Sequence, residues 1–90
     1  MRTSCLHLIS LDTTQLKSAP YHVCPECAAL GDSWVHLRVC QACGHVGCCN
    51  DSKNQHAAQH FRATHHPVII SAEPGERWAW CYPDQRFRKY

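Results

Sequence analysis

The sequence predicts an α+β domain: a short antiparallel sheet packed on one helix, in a chain too small to rely on a hydrophobic core. Three observations lead there. Two stretches carry strand patterning, the alternating Trp34–Val39 and the β-branched run Val68-Ile69-Ile70. Between them lies a stretch with helical spacing that stops at Pro67. The 90 residues also contain eight cysteines and eight histidines. A chain of this size buries only about 60–65% of the surface its unfolded form exposes, so its fold needs staples of some kind. The hydrophobic fraction of 44% counts those cysteines, and the aliphatic runs are short.

The elements follow in order along a single domain spanning residues 1–90, with its core at about 5–87. Residues 1–23 form a leading segment that holds Cys5-Leu6-His7. Cys24-Pro25-Glu26-Cys27 is a knuckle, a tight turn that aims two sulfurs at one point. Gly31-Asp32-Ser33 reads as a turn. In Trp34–Val39, Val35, Leu37 and Val39 share one face, and Trp34, His36 and Arg38 the other, as in a half-buried strand. Cys40-Gln41-Ala42-Cys43 is a second knuckle, and Gly44 suits its turn. Gly47 leads into Cys48-Cys49. Asp51 or Ser52 is placed to cap a helix over residues 53–64. His56 and His60 then share one helical face. His65-His66-Pro67 ends the helix, Val68–Ala72 is a strand, Glu73–Glu76 a turn and Arg77–Tyr82 a further strand.

Eight cysteines point either to disulfides or to metal. The segment Met1–Leu11 has one Arg and a short apolar run broken by His7 and Ser10, without the small-residue cleavage pattern of an exported chain. A reducing cytoplasm is therefore expected, where Cys-x-x-Cys pairs interspersed with histidine read as zinc sites. No apolar run approaches the roughly 20 residues that span a bilayer. The net charge of +2 marks no polyanion binder. Two residues between cysteines let both sulfurs chelate one ion with little strain. Cys24/Cys27 and Cys40/Cys43 are thus strong half-sites, and with His56 and His60 they imply two zinc sites. Spacing alone leaves open which histidine joins which pair.

Taken together, Cys24-x-x-Cys27, Cys40-x-x-Cys43-Gly44-x-x-x-Cys48, His56-Ala57, His60, His66-Pro67, Ser71 and Trp80-Cys81-Tyr82 resemble the UBP-type zinc finger. This is the ubiquitin-binding finger of some deubiquitinases and of a cytoplasmic deacetylase. The resemblance runs from Cys5 to about Phe87 and is nearest to the short, free-standing bacterial members. It implies a cross-braced pairing: Cys24, Cys27, Cys48 and His56 for one zinc, Cys40, Cys43, His60 and His66 for a second. It implies a third zinc on Cys5, His7 and Cys81, where the family's fourth ligand is a cysteine. This chain has Asp84 there, and a carboxylate oxygen is an acceptable, harder ligand. Cys49, His22, His36, His45 and His65 are left without a metal.

Four protein ligands leave a zinc no open position for a reacting water. The chain has no His-Glu-x-x-His, and Glu26 lacks the His-x-Glu partner of the zinc deaminases. The expectation is a monomeric, non-catalytic interaction module. The resemblance implies a pocket for a peptide's free C-terminal carboxylate, with Trp80 and Tyr82 at the family's aromatic positions and Phe87 standing in for a later Tyr. Cys49-Asn50 occupies the family's Gly-Arg. The natural carboxylate partner is gone, so ubiquitin binding is not expected on the family's pattern, and Arg38 or Arg77 is the substitute anion site. An alternative is nucleic-acid binding through the basic-aromatic tail Arg86, Phe87, Arg88, Lys89 and Tyr90, against which the near-neutral charge argues. A structural domain docking a protein partner through its sheet face is a further possibility.

Overall fold

The cysteine pairs and the strand patterning come together in a computed structural model that describes residues 5–90. Residues 1–4 of the leading segment lie outside it. The elements are α1 (Leu6–Ile9), α2 (Pro25–Leu30), β1 (Leu37–Cys40), β2 (Val46–Cys48), α3 (His56–Thr64), β3 (Val68–Ser71), β4 (Trp78–Cys81) and β5 (Arg86–Lys89). The strands form one sheet in the order β2-β1-β3-β4-β5, every neighbour antiparallel.

Several elements differ from the sequence reading, each for a local reason. The first knuckle is the opening turn of α2: Cys24 is its N-cap, Pro25 sits in its first turn, and Gly31 ends it at φ +75°. The strand expected from Trp34 begins only at Leu37. Upstream, the Val35 amide donates to the Ser52 hydroxyl at 2.8 Å rather than to a strand, and Val35 is 51% exposed. That same bond occupies Ser52, so neither Asp51 nor Ser52 caps a helix at residue 53. Gln55 turns through φ +49° and α3 starts at His56. The helix does end as expected, with His65 in the left-handed region and Pro67 beyond it.

The two faces of the sheet follow from the register. Val39 pairs with Ile70, Ile70 with Ala79 and Ala79 with Arg88. These positions share one face, and Val39, Ile70 and Ala79 are packed with Leu8 of α1, Val68, Cys5 and Cys81. Arg38 and Gly47 pair on the opposite face, where α3 lies close. A Cβ on Gly47 would sit 2.6 Å from the Ala57 backbone nitrogen. Glycine is therefore required for β2 and α3 to meet. The expected packing on one helix holds for β1 and β2 against α3, while α1 covers β4 from the other side. This leaves Trp78, Trp80 and Phe87 on the α3 side of β4 and β5, with Phe87 60% exposed.

Candidate functional site

Cys24 and Cys27 on α2, Cys48 at the end of β2 and His56 at the start of α3 converge in the interior, all buried. Three sulfurs surround one ring nitrogen: His56 Nδ1 lies 3.3 Å from Cys24 Sγ, 3.4 Å from Cys27 Sγ and 3.6 Å from Cys48 Sγ. One ring proton cannot serve three sulfurs. The backbone N–H of His56 donates to Cys48 Sγ at 3.2 Å and the Asn54 amide to Cys27 Sγ at 3.5 Å. Donors aimed at sulfur stabilise it as thiolate. With no positive charge inside, burial pushes the Cys24 thiol up to about 11, so a cation has to accompany any thiolate here.

One turn along α3, His60 faces a second group. Its Nε2 lies 3.3 Å from Cys43 Sγ, and His66 Nδ1 lies 3.5 Å from Cys40 Sγ. Burial, with His45 and His66 close by, holds the His60 imidazole below its usual range, in the neutral form that binds metal. His45 stacks on His60 with ring centroids 4.1 Å apart, and its Nε2 is 2.6 Å from Glu26 Oε1. His45 thus braces a ring of the group without belonging to it.

The remaining group joins the leading segment to the sheet. Asp84 Oδ2 lies 2.8 Å from Cys5 Sγ, 3.3 Å from His7 Nδ1 and 3.7 Å from Cys81 Sγ. Cys81 Sγ is 3.3 Å from His7 Nδ1. Cys5 and Cys81 are buried, but the His7 and Asp84 side chains are 44% and 45% exposed. Hydrogen bonding, from Cys5 above all and then from His7 and Cys81, holds the Asp84 carboxyl below its usual value, against the opposing effect of burial. Burial pushes the Cys81 thiol up to about 12.

These groups fit zinc by geometry. Bonds of about 2.3 Å to sulfur and 2.0–2.1 Å to nitrogen, at tetrahedral angles, separate ligand atoms by roughly 3.4–3.8 Å. In the first group the three His56–sulfur separations run from 3.3 to 3.6 Å, and Cys27 and Cys48 are 3.7 Å apart. A disulfide needs about 2.05 Å, and all eight cysteines are free. Each group brings its ligand atoms within 4.8 Å of one another. The three groups can hold metal, and their memberships coincide with the sets that the family resemblance implies.

Comparison with known proteins gives the family. The family described as "Zn-finger in ubiquitin-hydrolases and other protein" matches residues 24–89. The chain belongs to that family. Among curated relatives, ubiquitin carboxyl-terminal hydrolase 16 of Mus musculus is 38% identical over 56 residues, 58% of this chain and 6% of the hydrolase. Ubiquitin carboxyl-terminal hydrolase 44 of Danio rerio is 30% identical over 82 residues, 87% of this chain and 11% of that protein. The chain thus spans a small fraction of these relatives. The solution NMR structure of a Rhodopseudomonas palustris protein is 43% identical, with a TM-score of 0.80, covering 99% of this chain and 84% of that one. As a member of this family the chain is a zinc-binding domain.

Beside its metal groups the finger carries a depression of about 270 Å³, lined by Arg38, Cys49, Asn50, Asp51, Ile69, Trp78, Trp80 and Tyr82. Trp80 and Tyr82, expected from the resemblance, are both in its wall. Tyr82 stacks on Phe61 of α3 at 4.6 Å between centroids. Phe87 is not in this wall; it pairs across from Trp80 and borders an adjoining apolar hollow with Trp78 and Trp80. Arg38 is the cation of the depression. Its guanidinium lies 4.6 Å over the Trp78 ring and donates to the Leu37 carbonyl and the Ser71 hydroxyl. Arg77 is directed elsewhere, donating to the Tyr90 carbonyl. Of the residues in this wall, Cys49, Asp51, Ile69 and Trp78 have no part in the peptide pocket that the sequence suggests. Cross-strand register brings Trp78 and Ile69 to Arg38, and no local pattern carries that information. Of the tail, Arg88 donates to the Leu8 and Leu11 carbonyls, and Arg86–Lys89 is an edge strand.

Proposed function

We propose that this finger is a non-catalytic module that binds the free C-terminus of a peptide, on a scaffold of three zinc ions. The zincs are assigned to Cys24, Cys27, Cys48 and His56; to Cys40, Cys43, His60 and His66; and to Cys5, His7, Cys81 and Asp84. Bound zinc supplies positive charge that keeps buried thiolates ionised and cross-links distant segments. With four protein ligands each, the sites offer no position for a reacting water, which supports a binding role over an enzymatic one.

The observation that carries the binding reading is Arg38. Its side chain is only 14% exposed, it stands in a depression walled by Trp78, Trp80 and Tyr82, and it is the cation nearest that space. A carboxylate gains a charge-assisted pair from a partly desolvated guanidinium, and the indole faces accept the adjoining peptide plane. Asn50 and Asp51 at the rim offer oxygen acceptors for peptide N–H groups. Arg38 takes the part that the family gives to an Arg at the Asn50 position, approaching from β1 instead.

The test is an NMR titration of the zinc-loaded chain with a peptide ending in Gly-Gly, as free acid and as amide. Signals of Trp78, Trp80 and Arg38 should move with the acid and hardly with the amide. Arg38→Lys should weaken binding by about tenfold, because a single ammonium cannot reproduce the planar fork. Equal shifts with acid and amide would remove the carboxylate from the reading.

A further inference from the structure

The three metal groups differ in ways that bear on how firmly each would hold an ion. In the first, every ligand is buried; in the second, Cys40 is buried while Cys43 is exposed; in the one that includes Asp84, two of the four ligands face solvent. That group also replaces a soft sulfur with a carboxylate oxygen, and its Asp84 carboxylate and His7 ring lie nearly half exposed. An incoming ligand can therefore approach from the side of His7 and Asp84 and displace an oxygen, which binds a borderline cation less firmly than thiolate does.

Among the described residues, the same group is one of three fastenings of α1. This helix has only four residues, far below the roughly 12–15 at which an isolated helix is even marginal. Its N-cap, Cys5, makes no side-chain capping bond. Leu6 and Ile9 are 74% and 58% exposed. What holds it is Leu8 packed on Ile70 and Ala79, the Arg88 guanidinium on the Leu8 and Leu11 carbonyls, and the ligands Cys5 and His7. The ligands on the sheet side, Cys81 and Asp84, come from the end of β4 and the turn into β5.

We propose that Cys5, His7, Cys81 and Asp84 form an exchangeable zinc site, and that the leading segment is a strap fastened by that ion. The inference rests on the reading of the three groups as zinc sites. When a competing chelator takes the ion, bonds to Cys5, His7, Cys81 and Asp84 are exchanged for bonds to the chelator, the two thiolates take up protons from water, and Cys5 and His7 are freed to part from Cys81 and Asp84. The segment through Leu11 is then held by Leu8 and the two Arg88 bonds alone, so it loosens and lifts more readily from Val68, Ile70 and Ala79. The central two groups keep β1, β2, α2 and α3 together throughout.

The experiment uses the full chain loaded with zinc, challenged with an excess of a chromogenic chelator and followed by native mass spectrometry and amide NMR. One zinc should leave at least about tenfold faster than the others, the range by which changes around a metal ligand alter affinity. At that stage the mass should show two zincs. Amides of Cys5–Leu11 and Cys81–Arg88 should move, and those of Leu37–Cys40 and His56–Thr64 should stay. Asp84→Cys should slow the fast release by about tenfold or more, and because it exchanges an oxygen ligand for a sulfur one, slower release is not the effect of a damaged fold. Three zincs leaving at one rate, or a fast release that Asp84→Cys leaves unchanged, would overturn the proposal. A chain that binds no zinc would overturn the zinc reading itself.

Discussion

On one face of the sheet, Val39, Ile70 and Ala79 lie under Leu8 and the segment that follows α1, all nearly inaccessible. On the other, Trp78 and Trp80 are half-buried and Phe87 is exposed, although these residues are larger. The strands are the same and alternate in the same way. What differs is the cover: α3 packs on the second face chiefly over β1 and β2, and meets the end of β4 where Phe61 stacks on Tyr82. Small aliphatic residues are used where the face is closed, and aromatic ones with an adjacent Arg38 where it is left open. In a chain with so little interior, an uncovered aromatic surface is more naturally read as a surface for a partner than as part of the core.

This division can be broken in several places. The largest effect is expected from the metal groups, on which both faces depend. Each structural zinc in small fingers contributes on the order of 10–16 kcal/mol of apparent binding free energy, whereas whole domains are stable by about 5–15 kcal/mol. Cys48→Ser, or exhaustive chelation, should leave the chain largely unfolded, read as collapse of amide dispersion in NMR. A cooperative melt surviving chelation would mean that the faces stand without metal. Next comes Leu8→Ala under the closed face. It should cost about 2–4 kcal/mol in denaturant unfolding while the affinity for a C-terminal peptide stays within twofold.

A smaller effect is expected at Glu73, on the margin of the sheet. Its carboxylate accepts from the Leu37 amide at 3.0 Å and lies 2.9 Å from His22. Burial works against the charge, but these bonds outweigh it and hold the carboxyl below its usual range. A depressed carboxyl contributes stability above its unfolded value and loses it as pH falls through the folded one. Glu73→Gln should therefore cost roughly 1 kcal/mol at neutral pH, allowing for solvent screening. The gap to the parent should close as pH drops below the ordinary carboxylate range. The smallest effect belongs to Phe87→Ala on the open face, within about 0.5 kcal/mol. If it matched Leu8→Ala, the contrast between the faces would be wrong.

The metal groups were legible because chelation imposes short-range spacing: Cys24/Cys27, Cys40/Cys43 and His56/His60 announce themselves in sequence. Their pairing was not, since Cys48 and His56 reach Cys24 and Cys27 through a fold that spacing does not encode; the family resemblance supplied it. Val68–Ser71 was visible as a run of β-branched residues, and Pro67 marked the stop before it. The short pieces were hidden. β2 is only Val46-Gly47-Cys48, too brief to show a period. α1 exists through its attachments rather than its propensity. Helix α3 was placed to begin too early because Ser52 looks like a cap when its bond to Val35 is unknown. The tail Arg86–Lys89 read as a basic end, yet pairing with β4 makes it a strand.

The order of ligands along the chain has one more consequence. Cys24 and Cys27 come first, then Cys40 and Cys43, then Cys48 and His56, then His60 and His66. The two central groups thus take turns, each waiting for a partner that lies beyond half of the other. A fragment ending anywhere between Cys43 and Cys48 would own half of both and complete neither. The chain cannot be divided into two smaller fingers, nor can one centre be transplanted without the other. Synthesis must reach His56, the first residue of α3, before one centre has all its ligands, and His66, beyond the end of that helix, before the other has, so this small domain is completed late.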